Sequence, residues 1–171
     1  MEIISRFIDL CLFRAHPSDL PASQWLLKLT LFTYFASGIA VNMFDSELGI
    51  SALTSLVDVI FMIIVVVLLL NFRNFQTRYT QTVTALAGTG FCFTLVALPL
   101  FWWFYQIDIE QQAANLIALV FLFAWLIWGL MVTVHIFRHS LEVKAGTATL
   151  ITLAYIAISI LITGLIMSGA A

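Results

Sequence analysis

Long apolar stretches separated by short polar connections organise this chain. Five of them, at about 23–41, 50–70, 80–101, 113–137 and 146–167, approach or exceed the roughly 20 apolar residues that a helix needs to cross a bilayer core about 30 Å thick. The stretch 59–70 contains no polar residue at all. None of the five shows the strict alternation of a half-buried strand, and all are too long for one. A helix also satisfies its own backbone in lipid. The pattern therefore predicts an all-α integral membrane bundle of five transmembrane helices.

A different periodicity precedes the first span. In residues 1–14, Glu2, Ser5, Arg6 and Asp9 share one helical face, while Ile3, Ile4, Phe7, Ile8 and Cys11 share the other. That pattern predicts a short amphipathic helix, either lying in the membrane interface or packed under the bundle. The segment from His16 to Pro21 separates it from the first span, which Ser23 is placed to cap. The chain thus divides into an amphipathic segment, 1–22, and a transmembrane domain, 23–171. Glu2 and Asp9 interrupt the first apolar run and no small-residue cleavage site follows it, unlike a cleavable signal.

Composition agrees with lipid as the solvent. Of 171 residues, 63% are hydrophobic and 9% charged, against about a quarter charged in ordinary soluble domains. Charge then orients the spans. The connections at 42–49 and 102–112 carry Asp45, Glu47, Asp108 and Glu110 and no base. Arg6, Arg14, Lys28, Arg73, Arg78, Arg138 and Lys144, which are all the Lys and Arg, fall at the other ends. Short cytoplasmic loops are rich in bases, so the N-terminus is expected in the cytoplasm and the C-terminus outside. The acidic connections also match at a spacing of 63 and the basic ones at 65, which suggests two similar hairpins following the first helix.

Few residues offer chemistry. Asp58 is the one acid well inside a span, roughly 12 Å from its outer boundary at 1.5 Å per residue. Intramembrane acids are costly and are functional candidates by default. Tyr34, Thr94 and Ser159 fall at similar depth, so a polar layer around Asp58 is one expectation; a plain helix-packing hydrogen bond is the alternative. His135 and His139 are one turn apart, but no third ligand lies nearby in sequence, so no metal is expected. Cys11 and Cys92 read as small apolar residues. Gly88, Gly90 and Cys92 give one span a thin face, as Gly164 and Ser168 do another, for close helix approach and possible homo-oligomers. Trp25, Trp102 and Trp103 suit the interface, whereas Trp125 and Trp128 sit mid-span and suit lipid contact or helix packing.

Phosphate-binding glycine loops, nucleophile elbows and zinc-protease helices are missing from the sequence. No enzyme, cofactor or nucleic-acid partner is expected. Five closely spaced spans, with FRAHPSDLPAS (Phe13 to Ser23) directly before the first, resemble bacterial members of the Yip family of Ypt/Rab-interacting membrane proteins. The DLYGP-type motif and long N-terminal region of eukaryotic members are lacking. The resemblance implies the fold and the bacterial inner membrane, while the small mass outside the membrane, the missing catalytic constellation and the N-terminal helix point to a multi-pass protein that binds or organises other membrane components, or shapes the bilayer. On the amphipathic N-terminal segment itself, Ile4, Phe7, Ile8, Arg6 and Arg14 are the candidate cytoplasmic interface with a membrane-protein partner. The alternative is a small transporter or channel subunit built on Asp58.

Overall fold

The computed structural model describes residues 2–106 and 112–169, and these are helical with short connections. Helix α1 spans Glu2–Cys11, α2 Gln24–Asn42, α3 Leu48–Phe72, α4 Tyr79–Gln106, α5 Gln112–Leu141 and α6 Ala145–Gly169. No strand occurs among the described residues. Asp108, Glu110 and the last two residues, Ala170 and Ala171, lie outside them.

Among the described residues, four helices are long and apolar enough to cross a membrane: α3, α5, α6 and the stretch Gln76–Trp103 containing most of α4. Mean hydropathy reaches 3.0 in α3. Helix α2 does not join this group. It has 19 residues, about 28 Å of rise, and Lys28, Thr30, Thr33 and Ser37 dilute its apolar character. Packing compensates for that polarity. Helix α2 lies against α4 over most of its length and against α3, so its hydroxyls meet protein. The lateral circuit then runs from α3 to α6, from α6 to α5 and from α5 back to α4. The two hairpins suggested by the loop spacing are packed differently: α5 and α6 touch directly, whereas α3 and α4 each pack more closely on α2 than on each other.

The outer surface of this ring is apolar. Leu150, Ile160, Leu161 and Leu165 of α6 and Leu116, Val120 and Phe123 of α5 are exposed. A soluble monomer rarely leaves so continuous an apolar patch uncovered. Threonines stay within this environment by bonding their own helix. Thr30, Thr33, Thr89, Thr133 and Thr152 each donate to the carbonyl four residues back, which satisfies the hydroxyl locally.

The ends where α3 and α5 stop and α4 begins form the basic end of the bundle. Here Arg73 donates to the carbonyls of Leu141 and Glu142, and Arg78 donates to those of His139 and Ser140 and pairs with the Glu142 carboxylate. These guanidiniums satisfy the unpaired carbonyls at the negative end of α5. Helices α3 and α5 stop through left-handed residues that are not glycine, Asn74 at φ 59° and Glu142 at φ 51°. Ser23 caps α2 as its sequence position predicts, accepting from the Leu26 amide at 3.4 Å.

Helix α1 turns part of its apolar side to the bundle. It lies against α4 and α5. The Phe7 ring covers Gly88, where a Cβ would come within 2.1 Å of it. Leu10 and Cys11 are also buried. Trp128 Nε1 donates to the Cys11 carbonyl at 2.9 Å, and His135 Nε2 lies 2.9 Å from the Ala15 carbonyl. Cys11 therefore sits level with Trp128, roughly 20 Å of helix rise from the basic end of α5. Gln81 fastens the following turn by donating to Ser18 and Leu20 carbonyls.

Candidate functional site

Asp58 projects from α3 into the ring of long helices. Tyr34 of α2 donates its hydroxyl to Asp58 Oδ2 at 2.6 Å, and Ser159 of α6 donates to Oδ1 at 3.0 Å. Each carboxylate oxygen thus has one neutral donor, and the two donors are 24 and 101 residues away in the chain. No Lys, Arg or His forms an ion pair with Asp58 among the described residues. A carboxylate in a medium of low dielectric needs a compensating charge, or it takes up a proton. Two hydroxyls lower its desolvation cost without cancelling its charge.

A cavity of about 190 Å³ adjoins the acid. All five long helices line it, with Tyr34 and Asn42 from α2, Ser55 and Asp58 from α3, Thr94 from α4, Trp125 from α5 and Thr163 from α6. Its volume admits several water molecules or one small solute. Asn42 Nδ2 donates to Ser55 Oγ at 3.1 Å beside it. The cavity extends from Asp58 towards the end of the bundle opposite the bases. On the other side of Tyr34 and Trp125 lies a second cavity of about 220 Å³, reaching Met62, Leu86 and Val132. Below that, Val66, Leu70, Val83, Ile136 and Phe137 close the bundle as a buried apolar layer.

The helix backbone explains why these residues converge. Gly90 on α4 faces the Tyr34 ring so closely that a Cβ would lie 2.6 Å from it. Gly38 on α2 similarly faces Ser55 Oγ at 3.0 Å. The small residues therefore let α2 nest between α3 and α4, which brings Tyr34 to Asp58.

Of the three residues expected around Asp58, two bond to it: Tyr34 and Ser159. Thr94 lines the cavity, but its hydroxyl donates to its own helix at the Gly90 carbonyl, 2.9 Å away. Asn42, Ser55 and Thr163 were not expected there. Their depth was readable from the sequence, but their side of the helix was not. The N-terminal set divides. Ile4 and Ile8 are exposed, as are Arg6 and Arg14, but Phe7 is only 8% exposed and belongs to the core. Phe7 is therefore unavailable to a partner while α1 is docked.

Trp125 and Trp128 pack between helices, with Trp125 Nε1 donating to the Phe93 carbonyl at 3.1 Å. Gly164, in contrast, meets no neighbour within 4 Å of a built Cβ. Cys11 and Cys92, distant in sequence, together line a small apolar cavity with Phe93 and Trp128. His16 completes a group with the expected histidine pair, its ring centroid 4.1 Å from His139 and 5.7 Å from His135. No group of three or more His, Cys, Asp or Glu is arranged to hold a metal ion among the described residues.

Comparisons of the chain with protein-family models, with curated proteins and with solved structures return no match.

Proposed function

We propose that this chain is a five-span membrane protein that binds a small cation, or a protonated solute, at Asp58, and so acts as a small transporter or channel subunit without enzymatic activity. One observation carries this reading: Asp58 has two neutral hydroxyl partners and, among the described residues, no basic one, and it faces a cavity lined by all five long helices with Asn42, Ser55 and Thr163 among its walls. A carboxylate kept only for helix packing needs no such space beside it. A site for a cation does, because the ligand supplies the missing charge. The buried apolar layer around Phe137 keeps this cavity closed towards the basic end.

Helix α2 counts as the fifth span because it runs from the basic end to the other and is sheathed by α3 and α4. With bases gathered at one end, the positive-inside bias places that end in the cytoplasm. The setting we propose is the bacterial inner membrane, and the cavity then opens towards the outer face. A reporter fused after Ala171 is expected to read as periplasmic and one inserted beside Asn74 as cytoplasmic. The reverse pair would overturn the orientation.

The decisive measurement is flux in liposomes. The wild-type chain is expected to pass protons or monovalent cations, and Asp58→Asn, which keeps the shape and loses the charge, is expected to abolish that flux. Tyr34→Phe removes one hydroxyl and should reduce it while leaving the fold intact, since such bonds inside membranes contribute on average about 0.6 kcal/mol. Flux unchanged in Asp58→Asn would sink the reading. So would a wild-type chain that carries none of these ions.

A second reading, a Yip-like organiser of membrane components, rests on α1. Ile3, Ile4, Ile8, Leu12 and Phe13 form an exposed apolar edge beside the bundle. Changing Ile4 and Ile8 to serine would weaken co-purification of a membrane partner under that reading and leave it unchanged under the first.

A further inference from the structure

We propose that the groove at the basic end, between the turn at Pro17–Asp19 and the end of α5, is a binding site for a phosphate group. The groove encloses about 380 Å³ and is lined by His16, Ser18, Arg78, Arg138, His139 and Glu142. Three segments far apart in sequence build it. The turn at Pro17–Asp19 is fastened to α4 by Gln81, and Arg78 is fastened to α5 by three contacts. The walls are therefore set before any ligand arrives, which lowers the cost of binding.

The charge balance of the groove favours an anion. Among its seven lining residues Arg78 and Arg138 are the bases and Glu142 is the one acid. The acids nearby are already engaged. Glu142 pairs with Arg78, and Asp19 accepts the His16 amide at 2.8 Å and lies 3.7 Å from His16 Nδ1. Arg138 is exposed and forms no hydrogen bond or ion pair among the described residues. His16 and His139 stand edge to face at 4.1 Å, with the His135 ring 4.5 Å behind His139. Each imidazole carries at least one N–H donor, so these rings add hydrogen bonds to the charge that Arg138 offers an anion in the groove.

The one opposing field is weak. A helix C-terminus repels anions through its free carbonyls. Here the carbonyls of His139, Ser140, Leu141 and Glu142 all accept from Arg73 or Arg78. Arg138, with its planar fork of donors, matches phosphate oxygens in pairs. In the orientation given above, the groove lies at the level of the cytoplasmic headgroups, where basic clusters between helices hold anionic lipids. Exposed Trp25 and Phe72 flank the same end and can meet acyl chains.

The test uses the full chain in zwitterionic micelles, with melting temperature as the readout. Added phosphatidylglycerol is expected to raise it by about 4 °C or more relative to phosphatidylcholine. The doubly substituted Arg138→Gln/His139→Gln chain should lose that rise, and Lys28→Gln, a base at the same end but outside the groove, should keep it. Inorganic phosphate is the second ligand. A rise with phosphate alone, lost in the double variant, assigns the site to a soluble phosphate. A rise with the lipid only assigns it to a headgroup. Equal rises in wild type and the double variant, or equal loss in Lys28→Gln, would mean attraction by overall surface charge and overturn the proposal. No rise with either ligand would overturn it as well.

Discussion

Gly88→Leu is expected to undock α1 from the bundle. A Cβ at this position would fall 2.1 to 2.7 Å from three atoms of the Phe7 ring. Contacts that short do not persist, so the ring must leave its seat, and leucine then fills the space it needs for return. Overpacking of this kind costs about 1–3 kcal/mol. The docked helix has little else to offset the loss: two further buried side chains, Leu10 and Cys11, the bond from Trp128 to the Cys11 carbonyl, and the contact of His135 with the Ala15 carbonyl beyond its end. Cys11 reports the event, because it is buried while α1 is docked. In a Cys92→Ala background, a membrane-permeant maleimide should label Cys11 slowly in the parent and rapidly after Gly88→Leu. Adding Phe7→Ala should restore much of the protection, since it removes the clashing ring. Equal labelling before and after Gly88→Leu would show that the Phe7 seat does not hold the helix.

Phe137→Ala is expected to be the most destabilising single truncation in the bundle. The side chain is 1% exposed and meets Tyr155 edge to face at 5.9 Å. In a soluble core such a change costs about 3–5 kcal/mol. Part of that cost is transfer from water, which weakens when lipid surrounds both states. The remaining part is the void left among Val66, Leu70 and Ile136, and it stays. A loss near the lower end of that range is therefore expected in thermal unfolding in detergent. Phe121→Ala, at a ring 54% exposed on the outside of α5, removes as many atoms and should change the midpoint little. If both variants melted alike, the apolar layer at Phe137 would not be the packed closure described above.

Individual residues show how far the sequence could be read. Helix positions and their ends were legible because they rest on local rules: apolar length, the Ser23 cap, the bases beside each turn. The second helix shows the limit of length and hydropathy. It was counted with the other spans, yet only α3, α4, α5 and α6 reach the apolar length of a membrane crossing. The hydroxyls of α2 are tolerated because α3 and α4 cover them, a fact of packing rather than of its own composition.

The candidate site divides in the same way. Depth along a helix follows from 1.5 Å per residue, so Asp58, Tyr34 and Ser159 could be placed in one layer before any contact was known. Rotation about the helix axis could not be read, because helices apolar all round show no preferred face. That is why Thr94 was expected beside the carboxylate and instead spends its hydroxyl on Gly90. It is also why Asn42, Ser55 and Thr163 went unnoticed.

The sequence by itself determined a chain of long apolar helices, the gathering of its bases at alternate turns, and one acid at mid-span. Those properties depend on residues adjacent in the chain. Only the tertiary structure decided which side chains meet Asp58, that Phe7 belongs to the core rather than to an interface, and that His16 joins His135 and His139. These contacts bridge as many as 123 positions, from His16 to His139, and they follow from how small residues at Gly38, Gly88 and Gly90 let the helices approach. Close approach is a property of pairs of surfaces, and no single segment carries it.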